Sequence, residues 1–360
     1  MIKFIQKQIK NNVSKYVPQN DSLIYTIKND LFINEEKILD EIDGGSIFKI
    51  NNELVLIFDI SNGYYYYEKE IIKSEYLIIN KINSNEYLAT SKPERISTGR
   101  YKKNVIIIDF DLKTKKKCLI ENFEGQVIGL NSYYFLVIND QYISSINYQD
   151  CEKKWGFSLS QLGVFFNKKD IESNYTIEKI LGIWKNELIV GFSNSLIVSL
   201  DIETGKEIRR WQVLDGYYQD IRGVANQIPA SNMFLYDDEN GKLIALQISS
   251  YVEIDLSSSQ VIVKSLNDEM DKIGILHLNN QTSYGISSSH LFTTASGTDY
   301  KLDESFQNII AINRKSFEID WSHRFAPEDE GVNGTPVYES GKLYQLTGAG
   351  TLYVFDEIIK

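Results

Sequence analysis

Short apolar runs of four to six residues recur along the whole chain, set apart by turns rich in Asn, Asp, Gly, Ser and Lys. This pattern predicts many short antiparallel strands, because a strand packed against a core needs only a brief apolar stretch between polar turns. No stretch sustains the 3.6-residue period of a long amphipathic helix. The clearest unit runs from Lys179 to Val213 and reads as four strands, A to D, joined by three tight turns. The same grammar recurs from Ser46, Tyr76, Gly125 and Met233, and again near Tyr284. From Thr335 the chain supplies A, B and C but no D.

With the C strand as marker, starts fall near Leu31, Tyr64, Val105, Ile143, Leu196, Tyr251, Ile309 and Leu352, which makes eight units. A four-stranded sheet cannot cover its own apolar faces, so the copies must stack on one another, and a closed ring removes the open end of the stack. The expectation is an all-β fold: a single β-propeller of about eight four-stranded antiparallel blades over residues 1–360. The segment Ile2 to Ile9 alternates apolar and polar and reads as the missing D strand of the last blade. Read instead as a short helix, it leaves a seven-blade ring as the alternative.

Composition narrows the class. Hydrophobic residues at 42% with 24% charged describe an ordinary globular chain, and the 23 tyrosines lean towards strands. The 38 Lys and Arg against 49 Asp and Glu give a net charge of −11, which opposes a phosphate backbone. The basic run Lys113 and Lys115 to Lys117 falls at an expected hairpin tip and reads as a solvated turn. Such a surface favours a basic protein partner over nucleic acid. Cys118 and Cys151 are neither adjacent nor in a CxxC, and two thiols make neither a metal framework nor a disulfide scaffold. The N-terminal stretch lacks the apolar core of a signal peptide. No run approaches the roughly 18 apolar residues of a membrane span. The expectation is a soluble, cytoplasmic monomer.

Three of the four tryptophans occupy one place in the repeat, at the D strand: Trp155, Trp211 and Trp321. Ala311, Asn313, Ser316, Glu318 and Trp321 follow the spacing A-x-D-x-x-T-G-K-x-x-W, with Phe317 in place of its glycine. Asp201, Thr204, Gly205 and Lys206 match its letters, and Trp211 comes two residues late, which keeps the same strand face. This resembles the tryptophan-docking motif of PQQ-like, or quinoprotein-like, propeller repeats. The resemblance implies that Trp155, Trp211 and Trp321 pack between adjacent blades. Quinoprotein dehydrogenases carry PQQ, calcium and, in many members, a disulfide between adjacent cysteines. This sequence has no adjacent cysteine pair and no recognisable calcium-ligand set, so a cofactor-free, metal-free relative is expected.

In an A-B-C-D blade the B–C and D–A connections emerge on one face, and A–B and C–D on the other. The long connections, 92–104, 158–178, 214–230, 266–283, 294–308 and 326–334, all belong to the first face. Long loops on a rigid ring are where binding residues concentrate. Two segments supply the candidate partner-binding residues: Tyr217, Tyr218, Asp220 and Arg222 in one, Glu328, Asp329 and Glu330 in the other. Tyr and Arg are common interface anchors.

Catalytic motifs are missing at the level of sequence. No GxSxG, P-loop or HExxH occurs, and His277, His290 and His323 show no metal-ligand spacing. The expected function is a non-catalytic interaction propeller, either a scaffold or an immunity-type protein that neutralises a toxin. The alternative is a small-ligand- or carbohydrate-active enzyme with carboxylates at the central channel.

Overall fold

The computed structural model describes residues 2–358 except 20–21, 41–45, 50–53, 59–62, 68–69, 75, 84–85, 92–93, 98–99, 103–104, 110–113, 119–125, 132, 167–170, 213–217, 220–224, 227–228, 280–283 and 300–303. Eight antiparallel sheets follow one another along the chain, each built on four strands in the order A-B-C-D. Blade 1 spans 13–39, blade 2 46–74, blade 3 77–118, blade 4 126–158, blade 5 177–212, blade 6 235–265 and blade 7 275–324. Blade 8 takes A, B and C from 332–357, and its outermost strand is Phe4–Lys10, which pairs with Leu352–Glu357. The architecture is therefore an eight-bladed all-β propeller. Seven of the C strands begin within one residue of the positions marked from sequence; that of blade 7 begins at Glu304, five residues early.

The B and C strands form the core because they are apolar on both faces and have a blade on either side. In blade 5, Leu188, Ile189, Val190, Phe192, Leu196, Ile197, Val198 and Leu200 are all fully buried. One side packs with Leu136, Ile143 and Phe157 of blade 4, the other with Leu243, Ala245, Val252 and Ile254 of blade 6. At about 25 cal/mol per Å² of apolar surface, such seams supply most of the favourable folding energy.

A repeated contact orients the seams from blade 3 to blade 7: the D strand of one blade reaches the C–D turn of the next. Trp155 is 7% exposed; its indole N–H donates to the Ile202 carbonyl at 2.6 Å and its ring lies over Gly205. Gly205 has φ +69, and a Cβ there would fall 2.5 Å from the indole, so glycine is required twice over. One seam further on, Arg209 does the polar part of the task by donating to the Leu256 carbonyl. Its guanidinium lies 5.0 Å from both the Trp184 and Trp211 rings. Trp321 packs on Phe4 and Phe355 of blade 8, with ring centres 5.0 and 5.3 Å away.

At the seam of blades 3 and 4 the link is covalent. Cys118 ends the D strand of blade 3, Cys151 stands in the C–D turn of blade 4, and the two form a disulfide with Cα atoms 5.5 Å apart. This corrects the sequence reading of two thiols without a framework. The ring places residues 33 apart in sequence side by side. Disulfides persist in oxidising compartments, so the cysteine count no longer supports a cytoplasmic location. No helix among the described residues is long and apolar enough to cross a membrane. Replacing both cysteines by alanine is expected to lower stability by roughly 3 kcal/mol, from the entropy that a loop of this size restores to the unfolded chain. The measurement is the urea midpoint under non-reducing conditions, and an unchanged midpoint would contradict the staple.

Candidate functional site

All six long connections emerge on one face, and each carries structure of its own. Blade 3 inserts the ribbon Glu94–Ser97 and Arg100–Lys102 between its B and C strands. Blade 4 leads to blade 5 through the ribbon Val164–Phe166 and Glu172–Asn174. The connection to blade 6 contains the pair Tyr218–Gln219 and Ala225–Asn226, and the connection to blade 7 contains the helix Asn267–Lys272. The B and C strands of blade 7, His290–Asp299 and Glu304–Asn313, run to ten residues each and project past the ring.

The ribbon at Val164 is the most apolar of these features. Period-2 alternation turns Phe165 inward, where it packs on Tyr175 with ring centres 4.9 Å apart. The same alternation turns Val164 and Phe166 outward, at 47% and 65% exposure, next to Ile171 at 56%. The base of the connection is tied down by the Leu159 N–H, which donates to the Gln141 carbonyl at 2.9 Å beside the exposed Tyr142. Three large apolar side chains held outward on an anchored ribbon form a surface that a partner can cover.

Above blade 7 the projecting hairpin and the loop 325–331 enclose a cavity of about 500 Å³, lined among others by His277, Thr298, Phe306, Gln307, Arg324 and Glu330. The Arg324 guanidinium lies 4.0 Å from the centre of the Phe306 ring, a cation–π contact that holds the charge at the mouth. The Gln307 side-chain oxygen accepts from the Val332 N–H at 2.7 Å and fixes the loop's exit. Gly297 lets the hairpin lie close, since a Cβ there would fall 2.4 Å from the Gly274 carbonyl oxygen. The cavity offers an aromatic platform with one cationic and one anionic group, suited to seating a polar side chain or peptide end.

The acidic loop divides by role. Glu328 and Glu330 are exposed as the sequence suggested, whereas Asp329 is 5% exposed. Its carboxylate accepts from the Ala326 N–H at 3.0 Å and the Tyr353 hydroxyl at 2.8 Å, and burial with this bond pushes the tyrosine up to about 12. Asp329 is thus corrected from a partner contact to the anchor of its loop, for the physical reason that both bonds face inward. Of the other candidates, Tyr217, Asp220 and Arg222 lie outside the described residues, as does the side chain of Tyr218. Val164, Phe166 and Ile171 escaped the sequence reading because a ribbon within 158–178 was read as loop; the alternation of Val164, Phe165 and Phe166 was the available signal.

No family model matches the sequence, and no curated protein matches it. Solved structures do. The C-terminal WD40 domain of Sif2 aligns over 99% of each chain with a TM-score of 0.56 at 7% identity. Sqt1 of Saccharomyces cerevisiae covers 99% of this chain and 98% of its own, with a TM-score of 0.55 at 11% identity. The computationally designed Ika8 protein covers 96% of both, with a TM-score of 0.52 at 10% identity. The fold is that of a β-propeller. At these identities the likeness to other propellers speaks for the ring and its blades alone.

Beneath the acidic loop of this propeller, His323 sits among aromatic rings, with Phe355 at 4.9 Å, Phe325 at 5.1 Å and Tyr353 at 5.6 Å between centres. Burial holds its imidazole below the ordinary value, with Asp329 opposing weakly. The unfolded chain keeps the ordinary value, about 6.5. As pH falls through that value, the unfolded chain takes up a proton that the folded one refuses, so stability declines with acidity. Substituting His323→Phe is expected to flatten this part of the profile, measured as unfolding free energy between about pH 7 and pH 5; an unaltered slope would rule out the buried imidazole as its source.

Proposed function

We propose that the chain is an interaction propeller that binds a protein partner through its long-loop face. The observation that carries this reading is the anchored ribbon holding Val164, Phe166 and Ile171 out on the face where every long connection gathers. Apolar anchors with a charged surround are the usual make-up of an interface centre and rim. The net charge of −11, with Glu328 and Glu330 at the loop tip, favours a basic partner. A scaffold and an immunity-type protein that neutralises a basic toxin are the two forms this takes, on a cofactor-free ring of PQQ-like repeats.

The test compares purified variants as bait for partner recovery. Phe166→Glu with Ile171→Glu, and separately Tyr217→Ala with Tyr218→Ala and Glu328→Lys, are expected to reduce recovery at least tenfold, about 1.4 kcal/mol or more. Tyr133→Ala, at an exposed position in the A–B turn of blade 4 on the opposite face, serves as the control and keeps full recovery. Equal recovery by all the baits would place the interface elsewhere.

A further inference from the structure

The tight-turn face of blade 7 holds a constellation that no sequence motif announces. Ser289 ends the A–B turn, His290 begins strand B and Asp320 lies on strand D. The Ser289 Oγ is 2.8 Å from His290 Nδ1, and His290 Nε2 is 2.9 Å from Asp320 Oδ2. Asn313, paired with His290 in the sheet, donates its amide to the same Asp320 oxygen at 3.0 Å. The imidazole is 4% exposed and packs beside Phe292, while Ser289 is exposed.

Chemistry fixes the direction of these bonds. Burial raises the Asp320 carboxyl, but the bonds from Asn313 and His290 outweigh it and leave the group below its ordinary range. An ionised carboxylate only accepts, so His290 Nε2 carries the hydrogen. In the neutral ring Nδ1 is then bare, and the Ser289 hydroxyl donates to it. Nucleophile, base and orienting acid stand in working order, and roles follow geometry, whichever ring nitrogen faces the serine.

Ser289 also opens on a cavity of about 440 Å³, lined among others by Lys242, Ser288, Asn313, Arg314 and Lys315. Lys242 is paired with Glu253 at 2.5 Å and Arg314 with Asp237, and Arg314 also donates to the Ser287 carbonyl at 3.0 Å. Each of these pairs is neutral as a whole, with Glu253 lining the same cavity, and the exposed Lys315 ammonium adds a positive charge at the rim. We propose that Ser289, His290 and Asp320 form a serine-nucleophile site that hydrolyses carboxylic esters carrying a negative charge. Ser289 Oγ attacks the acyl carbon while its proton passes to His290 Nδ1. The C–O bond of the ester breaks, and the leaving alkoxide takes that proton as the free alcohol. Water, giving a proton to His290, then attacks the acyl-serine; the carboxylic acid departs and the serine hydroxyl is restored. Arg314 and Lys315 line the same cavity as Ser289. This site is on the face opposite the ribbon and stands or falls independently of the partner-binding reading.

The full chain is treated with a fluorophosphonate probe, the modified residue is located by mass spectrometry, and hydrolysis of p-nitrophenyl hemisuccinate and p-nitrophenyl acetate is followed. The expected result is a label on Ser289, lost in Ser289→Ala, together with a fall in kcat/KM for the hemisuccinate of about 10³-fold or more. Ser160→Ala, at an exposed serine in the connection after blade 4 and away from the cavity, keeps labelling and rate within about twofold. Asp320→Asn lowers kcat with KM and unfolding midpoint unchanged, which separates orientation of His290 from mere folding. The hemisuccinate outpaces the acetate, and Lys315→Ala removes the difference. A wild-type chain that stays unlabelled, or hydrolyses no faster than Ser289→Ala, would reduce the constellation to a structural hydrogen-bond network. Equal rates on the two esters would remove the preference for charge.

Discussion

A twisted four-stranded sheet leaves two apolar faces uncovered, and the fold is the solution of that single problem repeated eight times. Each blade is covered by its neighbours, so the arrangement holds only if the last blade also finds the first. Here the segment Phe4–Lys10 completes blade 8 by pairing with Leu352–Glu357, and the Val13 N–H then donates to the Gly350 carbonyl at 2.8 Å to join blade 8 to blade 1. Ile2 and Phe4 are buried against Phe292, Leu343 and Phe355, which makes the closing strand part of the core as well as of the sheet. The ring in turn gives the loop face and the turn face their separate identities.

Within that frame the same turn position is solved in different ways. The left-handed residue of the C–D turn is Cys151 in blade 4, Gly205 in blade 5, Ser259 in blade 6 and Phe317 in blade 7, with φ of 64, 69, 59 and 64°. In blade 5, glycine makes room for the Trp155 indole of the preceding D strand. The cysteine is bonded to the D strand before it, and Phe317 packs edge-on to Tyr251 with ring centres 5.0 Å apart. A repeat therefore conserves backbone geometry while the side chains that fasten it change from hydrogen bond to stacked cation to disulfide.

This explains what the sequence could reveal. Strand alternation and turn residues are local, so Lys179 to Val213 reads as a blade by inspection, and the spacing of the C strands gives the count of eight. Contacts across a seam are not local. Nothing near Cys118 points to Cys151, because their meeting depends on how blade 3 stacks on blade 4. Asp329 has the composition of an exposed acidic loop, and only the position of Tyr353 in the next blade shows that its carboxylate turns inward. Ser289, His290 and Asp320 come from strands B and D with a whole hairpin between them, so their spacing resembles no linear motif. The outward ribbon was within reach, since Val164, Phe165 and Phe166 alternate around one inward anchor, but a single alternation inside a long connection is a weak signal beside a repeated one.

Closure of the ring is tested most directly by removing its last strand and supplying it again. A chain lacking residues 1–10 should unfold roughly 5–10 °C below the intact protein, and a synthetic peptide of residues 2–10 should restore the midpoint in a concentration-dependent way. A shortened chain that keeps the original midpoint and ignores the peptide would contradict the account, because blade 8 would then be complete without the strand that joins the two ends of the ring.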